Sequence, residues 1–264
     1  MNLQIENKLA LVTGSTAGIG FAIAKGLAAE GARVIVNGRT EARVVGALAE
    51  IYRQVPEAKL EALPGDLAKA DVAKAAIQMF PDVDILINNL GVYSPKPFEE
   101  ISDNDWFEII ETNFMSGMRL SRHYLPRMKA RNWGRIVFIS SESGVNIPVE
   151  MVHYGVTKSM QIALARGMAE TTAGTGVTVN SVLAGPTRSE GVETFLGEMA
   201  KAQGITPAQV EKEFFQKARP SSLLQRFASI DEVAAMVVYL SSGRASATNG
   251  AAVRAEGGLV RSIL

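Results

Sequence analysis

Tyr154 and Lys158 stand four residues apart in Tyr154-Gly155-Val156-Thr157-Lys158, and Ser141 precedes the tyrosine by thirteen. A phenol and an ammonium at that spacing share one face of a helix. There the lysine can stabilise the phenolate and lower the tyrosine pKa from its ordinary value of about 10. Such a phenol can give a proton to a carbonyl oxygen during reduction, or take one from an alcohol during oxidation. Lys158 can also bind a cofactor ribose, and Ser141 can hydrogen-bond the substrate oxygen and stabilise charge developing on it. Tyr-x-x-x-Lys alone is common and reads equally well as incidental surface chemistry. Its weight comes from coinciding with Ser141 and with a glycine-rich turn near the start of the chain, Thr13-Gly14-Ser15-Thr16-Ala17-Gly18-Ile19-Gly20. Together these point to proton transfer coupled to hydride transfer, the chemistry of an oxidoreductase.

The elements that must position these groups are legible as an alternation. Leu9 to Val12 is a short apolar run that stops at the glycine turn, and Ile19 to Ala29 reads as a helix broken by Gly31. The rhythm continues with strands at Arg33 to Asn37, Leu60 to Pro64 and Asp84 to Ile87, and helices over Ala42 to Tyr52 and Val72 to Phe80. A helix from Trp106 to Met128 precedes a strand at Arg135 to Ile139. Tyr154 and Lys158 fall near the start of the following helix, which runs towards Glu170. A strand at Val177 to Val182, a helix at Asp231 to Leu240 and a short strand at Ala251 to Arg254 complete the series. Short apolar strands alternating with helices predict one α/β domain over 1–264, with a largely parallel sheet covered on both faces. Residues 190–224 interrupt the rhythm with helical pieces at Val192 to Ala202 and Pro207 to Ala218 and no strand. That placement suits a substrate lid, although Phe195, Leu196, Met199, Phe214 and Phe215 could instead bury against the domain or a neighbouring subunit.

Glycines where the first strand gives way to the first helix permit a tight turn and close approach of a pyrophosphate, whose charge the helix N-terminus favours. The spacing here is Gly-x-x-x-Gly-x-Gly, and a packing role is the bland alternative. At the end of the second strand, Val36-Asn37-Gly38-Arg39 offers an arginine and no acid until Glu41. An acid would suit the ribose hydroxyls of NAD(H), whereas Arg39 suits a 2′-phosphate and so favours NADP(H). NAD(H) stays open as the alternative, with Arg39 then an ordinary solvated strand end.

The bulk composition narrows the remaining classes. Lys plus Arg and Asp plus Glu both number 27, so the chain has no net charge to support nucleic-acid binding. There are no cysteines, hence no disulfide or thiol nucleophile, and His123 and His153 show no metal-ligand spacing, so no metal is expected. The apolar fraction of 47% supports a substantial core, and no run approaches a membrane span or a secretory leader. Cytoplasmic residence is the expectation. His153 adjoins Tyr154 and could line a pocket, but neighbouring residues on a helix project in different directions. His123, Trp106, Trp133 and the methionines read as packing.

With these residues in place, the sequence resembles the short-chain dehydrogenase/reductase family from Leu9-Ala10-Leu11-Val12-Thr13-Gly14 to Glu256-Gly257-Gly258. The resemblance implies a Rossmann-like sheet of seven parallel strands flanked by helices, in homotetramers or dimers. Its Thr-Gly-x-x-x-Gly-x-Gly turn falls on Thr13 to Gly20, which implies cofactor contacts at Gly14, Ser15, Thr16, Gly18, Ile19 and Gly20. The adenine-contacting pair falls on Asp66 and Leu67, and the Asn-Asn-Ala-Gly segment becomes Asn88-Asn89-Leu90-Gly91, placing Asn89 and Gly91 at the cofactor. The catalytic asparagine, serine, tyrosine and lysine fall on Asn113, Ser141, Tyr154 and Lys158, the asparagine holding a water that links the lysine to a proton relay. Without the resemblance, Asn113 reads as a helix-interior irregularity or local backbone hydrogen bonder. The usual Pro-Gly-x-x-x-Thr segment becomes Ala184-Gly185-Pro186-Thr187-Arg188-Ser189, which places Gly185, Thr187 and Ser189 beside the nicotinamide. Glu256 replaces the aspartate of a terminal Asp-Gly-Gly, a change assigned to packing or assembly.

The expected function is therefore NADP(H)-linked interconversion of a carbonyl and an alcohol on a small molecule, with a 3-oxoacyl thioester among the candidates. An NAD-dependent alcohol or sugar dehydrogenase is the first alternative. A nucleotide-sensing regulatory protein with weak catalysis is the second, and a scaffold using its helical surfaces for assembly is the third.

Overall fold

The strands are apolar runs without an exposed face, which is what a sheet covered by helices on both sides requires. In the computed structural model, which describes residues 1–263, β1 (Leu9–Val12) and β4 (Ile85–Asn88) lie at the centre, flanked by β2 (Arg33–Gly38) and β3 (Lys59–Pro64) on one side. On the other side lie β5 (Gly134–Ser141), β6 (Val177–Ala184) and β9 (Ala252–Ala255). All seven described strands of this sheet pair in parallel, in the order β3-β2-β1-β4-β5-β6-β9. Every residue of β5 and of β6 is buried.

Helices α1 (Gly18–Ala29), α2 (Glu41–Gln54), α3 (Ala70–Met79), α4 (Asp103–Ile110), α5 (Ser116–Ala130), α6 (Val152–Glu170) and α9 (Ile230–Leu240) cover the faces. One apolar cluster packs α1, α2 and α9 against the sheet, and a second packs α3, α5 and α6 against the other side. Ser229 opens α9 with a capping box closed by Glu232, and Thr40 caps α2 by accepting the Arg43 N–H. Among the described residues, no helix is long and apolar enough to cross a membrane.

The element boundaries agree with the sequence reading to within a few residues, with two differences. The stretch expected as one helix from Trp106 to Met128 is α4 and α5 joined by a π turn, Glu111–Met115, that holds Asn113. The segment 190–224 carries α7 (Glu190–Gln203) and α8 (Pro207–Lys217) as expected, but a two-stranded parallel ribbon closes its base: β7 (Thr187–Arg188) pairs with β8 (Ala228–Ser229). This excursion has its own small core of Leu196, Ala200, Val210, Phe215 and Phe227. Thr206, Pro207 and Gln209 start α8 with a capping box, and Gly204, at φ +66°, ends α7 in the left-handed conformation.

Candidate active site

A crevice of about 690 Å³ opens at the carboxyl ends of β1, β4, β5 and β6, where strand order departs from chain order. Its floor is the glycine turn. Gly14 and Gly18 have φ of +61° and +58°, a backbone conformation that costs other residues strain. A Cβ at Gly20 would stand 2.4 Å from the Gly14 carbonyl oxygen and 2.4 Å from Asn89 Nδ2, so only glycine lets turn, helix and Asn89 meet. The turn is held from both sides. Asn37 accepts the Gly14 N–H at 3.0 Å while its amide donates to the Leu63 and Gly65 carbonyls. Asn89 donates to the carbonyls of Thr13 and Gly14, and Thr13 Oγ1 accepts the N–H groups of Asn89 and Leu90. Leu90, where the family pattern has alanine, approaches to 3.2 Å of the place a Gly14 Cβ would take, and the missing Cβ is what accommodates it.

These features fit a dinucleotide: a tight cradle that any added Cβ would fill, leading into an α-helix N-terminus. Gly14, Gly18, Ile19, Gly20, Asn89, Gly91, Gly185, Thr187 and Ser189 all line the crevice, together with Ser141, Tyr154 and Lys158. Ser15, Thr16, Arg39, Asp66 and Leu67 do not. Ser15 is wholly buried, its hydroxyl donating to the Val12 carbonyl and accepting the Asn37 N–H. Leu67 is core, Asp66 accepts the Ala68 N–H, and Arg39 is exposed past the end of β2 with no ion pair among the described residues. Ser189 serves as the N-cap of α7, and Thr187 donates to the Gly185 carbonyl.

The chemical end lies where β5 and α6 meet. Ser141 closes β5 and its Oγ accepts the Ser143 N–H at 3.1 Å. Tyr154 and Lys158 sit on the first turns of α6, with the ammonium nitrogen 5.5 Å from the centre of the phenol ring. Lys158 donates to the Ile139 carbonyl at 2.8 Å and to Gln161 Oε1 at 3.2 Å. Gly91 leaves it room, since a Cβ there would come within 3.3 Å of the nitrogen. Asn113 is buried: its side chain accepts the Val92 N–H and donates to the Val92 carbonyl and to Thr157 Oγ1. Its backbone carbonyl, expected to hold a water on the way to Lys158, is met by Gln161 Nε2 at 2.5 Å.

One sequence expectation is reversed in this cofactor-free structure. Spacing alone predicts that Lys158 lowers the Tyr154 pKa, yet burial pushes the phenol up to about 12, opposed by Ser141 and reinforced by Glu142 and Tyr93. Burial likewise draws Lys158 down to about 8. The ammonium spends two donors on Ile139 and Gln161 and lies beside the ring, so desolvation outweighs its attraction for the phenolate.

Three groups lining the crevice were not singled out from sequence. Glu142, directly after Ser141, is buried and accepts from Arg219 Nε at 3.1 Å, while its Oε2 has no hydrogen-bond partner among the described residues. Burial raises its carboxyl above the ordinary value, with Arg219 pulling the other way. Arg219 follows α8 and also reaches Glu150 at 3.5 Å, joining the excursion to the catalytic end of the sheet. Tyr93 stands edge-on to Tyr154 with ring centres 6.1 Å apart. Of the apolar residues expected on the excursion, Phe195 and Phe214 face the crevice, with Val192, whereas Leu196 and Phe215 are interior to its own core and Met199 packs against it. His153 does not line the crevice: it is buried against Trp106, ring centres 6.0 Å apart. His123 Nε2 meets the Pro81 carbonyl. Glu256 is buried and accepts the N–H groups of Leu259 and Val260, a packing role. No cluster of acidic residues and histidines among the described residues could hold a metal ion.

A family model described as short chain dehydrogenase matches residues 8–199. The chain is 46% identical over 263 residues to the uncharacterized oxidoreductase YvaG of Bacillus subtilis, covering 100% of both. It is 32% identical over 262 residues to the 3-oxoacyl-[acyl-carrier-protein] reductase FabG of Aquifex aeolicus, covering 98% of this chain and 100% of that protein. Among solved structures, the L-sorbose reductase of Gluconobacter frateurii complexed with NADPH and L-sorbose superposes with a TM-score of 0.92 at 28% identity, covering 100% of each chain.

Proposed function

The chain belongs to the short-chain dehydrogenase/reductase family, and on that premise we propose that it is an NADP(H)-preferring enzyme that interconverts a carbonyl and an alcohol. The observation that carries this reading is the convergence of Ser141, Tyr154 and Lys158 on the crevice floored by the glycine turn. The turn from Gly14 to Gly20 would hold the pyrophosphate, Asp66 and Leu67 the adenine, Lys158 a ribose, and Gly185, Thr187 and Ser189 the nicotinamide region, with Asn89 and Gly91 between them. When bound, the nicotinamide supplies or takes the hydride. Tyr154 gives the proton to the carbonyl oxygen in reduction and takes it back in oxidation. Ser141 hydrogen-bonds that oxygen, and the Lys158 charge favours the phenolate left on Tyr154 after transfer. Asn113 braces the site through Val92 and Thr157.

Residues 190–224 form the substrate cover in this reading, supported by Val192, Phe195, Phe214 and Arg219 at the crevice. A 3-oxoacyl thioester is the first substrate class to test, because Met151, Phe195 and Phe214 give the crevice an apolar side and FabG is a full-length relative. A sugar or polyol is the second, because Glu142, Glu150 and Arg219 give it a polar side and the L-sorbose reductase shares the fold throughout. Assembly as a homotetramer or homodimer belongs to the same proposal, with the exposed Phe98 and Phe107 as apolar surface to cover.

Arg39 and the NADP-bound neighbours support the cofactor preference. Calorimetric titration with NADP⁺ and NAD⁺ is expected to show tighter NADP⁺ binding. Arg39→Ala should remove a charge-assisted contact and weaken NADP⁺ roughly tenfold, with little change for NAD⁺. Tighter NAD⁺ binding by the parent chain would overturn the preference and leave the dehydrogenase chemistry standing.

A further inference from the structure

An ammonium carries three N–H donors, and for Lys158 the protein takes two of them. One goes to the Ile139 carbonyl at 2.8 Å and one to Gln161 Oε1 at 3.2 Å. The same glutamine donates from Nε2 to the backbone carbonyl of Asn113 at 2.5 Å. Gln161 is 1% exposed, and its position three residues after Lys158 keeps its amide on the ammonium's side of α6. Asn113 lies in the π turn between α4 and α5, where the shift out of the regular helical register lets a side chain reach a backbone carbonyl. The amide has one workable orientation. Turned over, it would set its NH₂ against the ammonium and its oxygen against the carbonyl oxygen.

We propose that Gln161 is a positioning residue for proton transfer: its amide ties the Lys158 ammonium to the Asn113 carbonyl and fixes where the charge stands relative to Tyr154. The proposal rests on the carbonyl–alcohol reading above. A side-chain amide, with its dipole fixed by both partners, closes the span between α6 and the π turn. The third Lys158 donor is left for the crevice, where the Tyr154 ring centre lies 5.5 Å away. Gln161 Oε1 is also a neutral acceptor favouring the charged lysine, against the burial that draws it down. The titratable groups facing this centre are Tyr154 on α6, Tyr93 from the loop after β4, and Glu142 after β5 with its partner Arg219. None of them is hydrogen-bonded to the ammonium among the described residues, so the glutamine is the neighbour whose change moves it.

Gln161→Met keeps the length and removes both hydrogen bonds, whereas Gln161→Glu returns an acceptor to the lysine with a charge. With NADPH and the best carbonyl substrate, Gln161→Met is expected to lower kcat roughly tenfold, leave KM for the carbonyl within about twofold, and move the alkaline limb of kcat down by about one pH unit. Gln161→Glu should move that limb up. Isotope-labelled lysine NMR on the cofactor-free protein reads the same two displacements in the titration of Lys158 without any turnover. If both variants keep the parent's alkaline limb and Lys158 titration and differ only in thermal stability, Gln161 is core filling and the proposal is overturned. Should Gln161→Met fail to fold, the upward displacement in Gln161→Glu decides alone, and its absence overturns the link. A parent chain that turns over no carbonyl with NADPH refutes the activity, while the NMR titration still judges Gln161.

Discussion

Tyr154→Phe is expected to lose roughly two to four orders of magnitude in kcat while the fold and cofactor binding persist. The change deletes one oxygen. The ring's edge-on contact with Tyr93 survives, and among the described residues no hydrogen bond to the backbone is made by that hydroxyl. In the parent chain burial holds the phenol protonated through the neutral range. Reduction therefore starts from a phenol already carrying its proton, whereas oxidation needs that proton removed and should gain as pH rises. The gain ends as pH passes about 8, where Lys158 begins to lose the charge that favours phenolate. Steady-state rates in both directions, with a thermal melt as the control for folding, check the expectation. Near-parental turnover in Tyr154→Phe would mean that another group moves the proton.

Lys158→Met should damage two functions at once. The lysine is 4% exposed, and its replacement removes the one ammonium at the centre and leaves the Ile139 carbonyl and Gln161 Oε1 without their donor. Loss of the charge that favours phenolate should lower kcat/KM by roughly three orders of magnitude. Loss of the ribose contact should weaken NADP(H) roughly tenfold. Fluorescence titration with NADPH separates the second effect from the first. A variant that binds NADPH weakly yet keeps the parental kcat would reduce Lys158 to a binding group.

The parallel sheet was legible because β1, β2, β4, β5 and β6 are apolar on both faces, leaving unbroken runs that glycine and polar residues punctuate. The glycine turn and the Ser141, Tyr154 and Lys158 set were legible because their spacing is local. What was not legible depends on distance or dryness. The π turn around Asn113 leaves the apolar period of the surrounding helices nearly unchanged, so a continuous helix was the natural reading. Glu142 and Arg219 meet across 77 residues, and the ribbon of β7 and β8 rests on two residues per strand, too few to show a pattern. The direction of the Tyr154 shift was misread because sequence reports that an ammonium is near but says nothing of how much water has been excluded. Gln161 was within reach: three residues beyond Lys158 on a helix, it shares the face that the chemistry uses.

The central claim is that a carbonyl is reduced at this crevice with its proton coming from Tyr154. Its most direct test is NADPH oxidation with product analysis on ketones, 3-oxoacyl thioesters and ketoses, run side by side for the parent chain and Tyr154→Phe. The account expects the parent to convert at least one of these carbonyls to its alcohol with one NADPH consumed per alcohol formed, and expects the variant to bind NADPH and form almost none. Equal alcohol formation by both chains, or NADPH consumed by the parent with no alcohol produced, would contradict it.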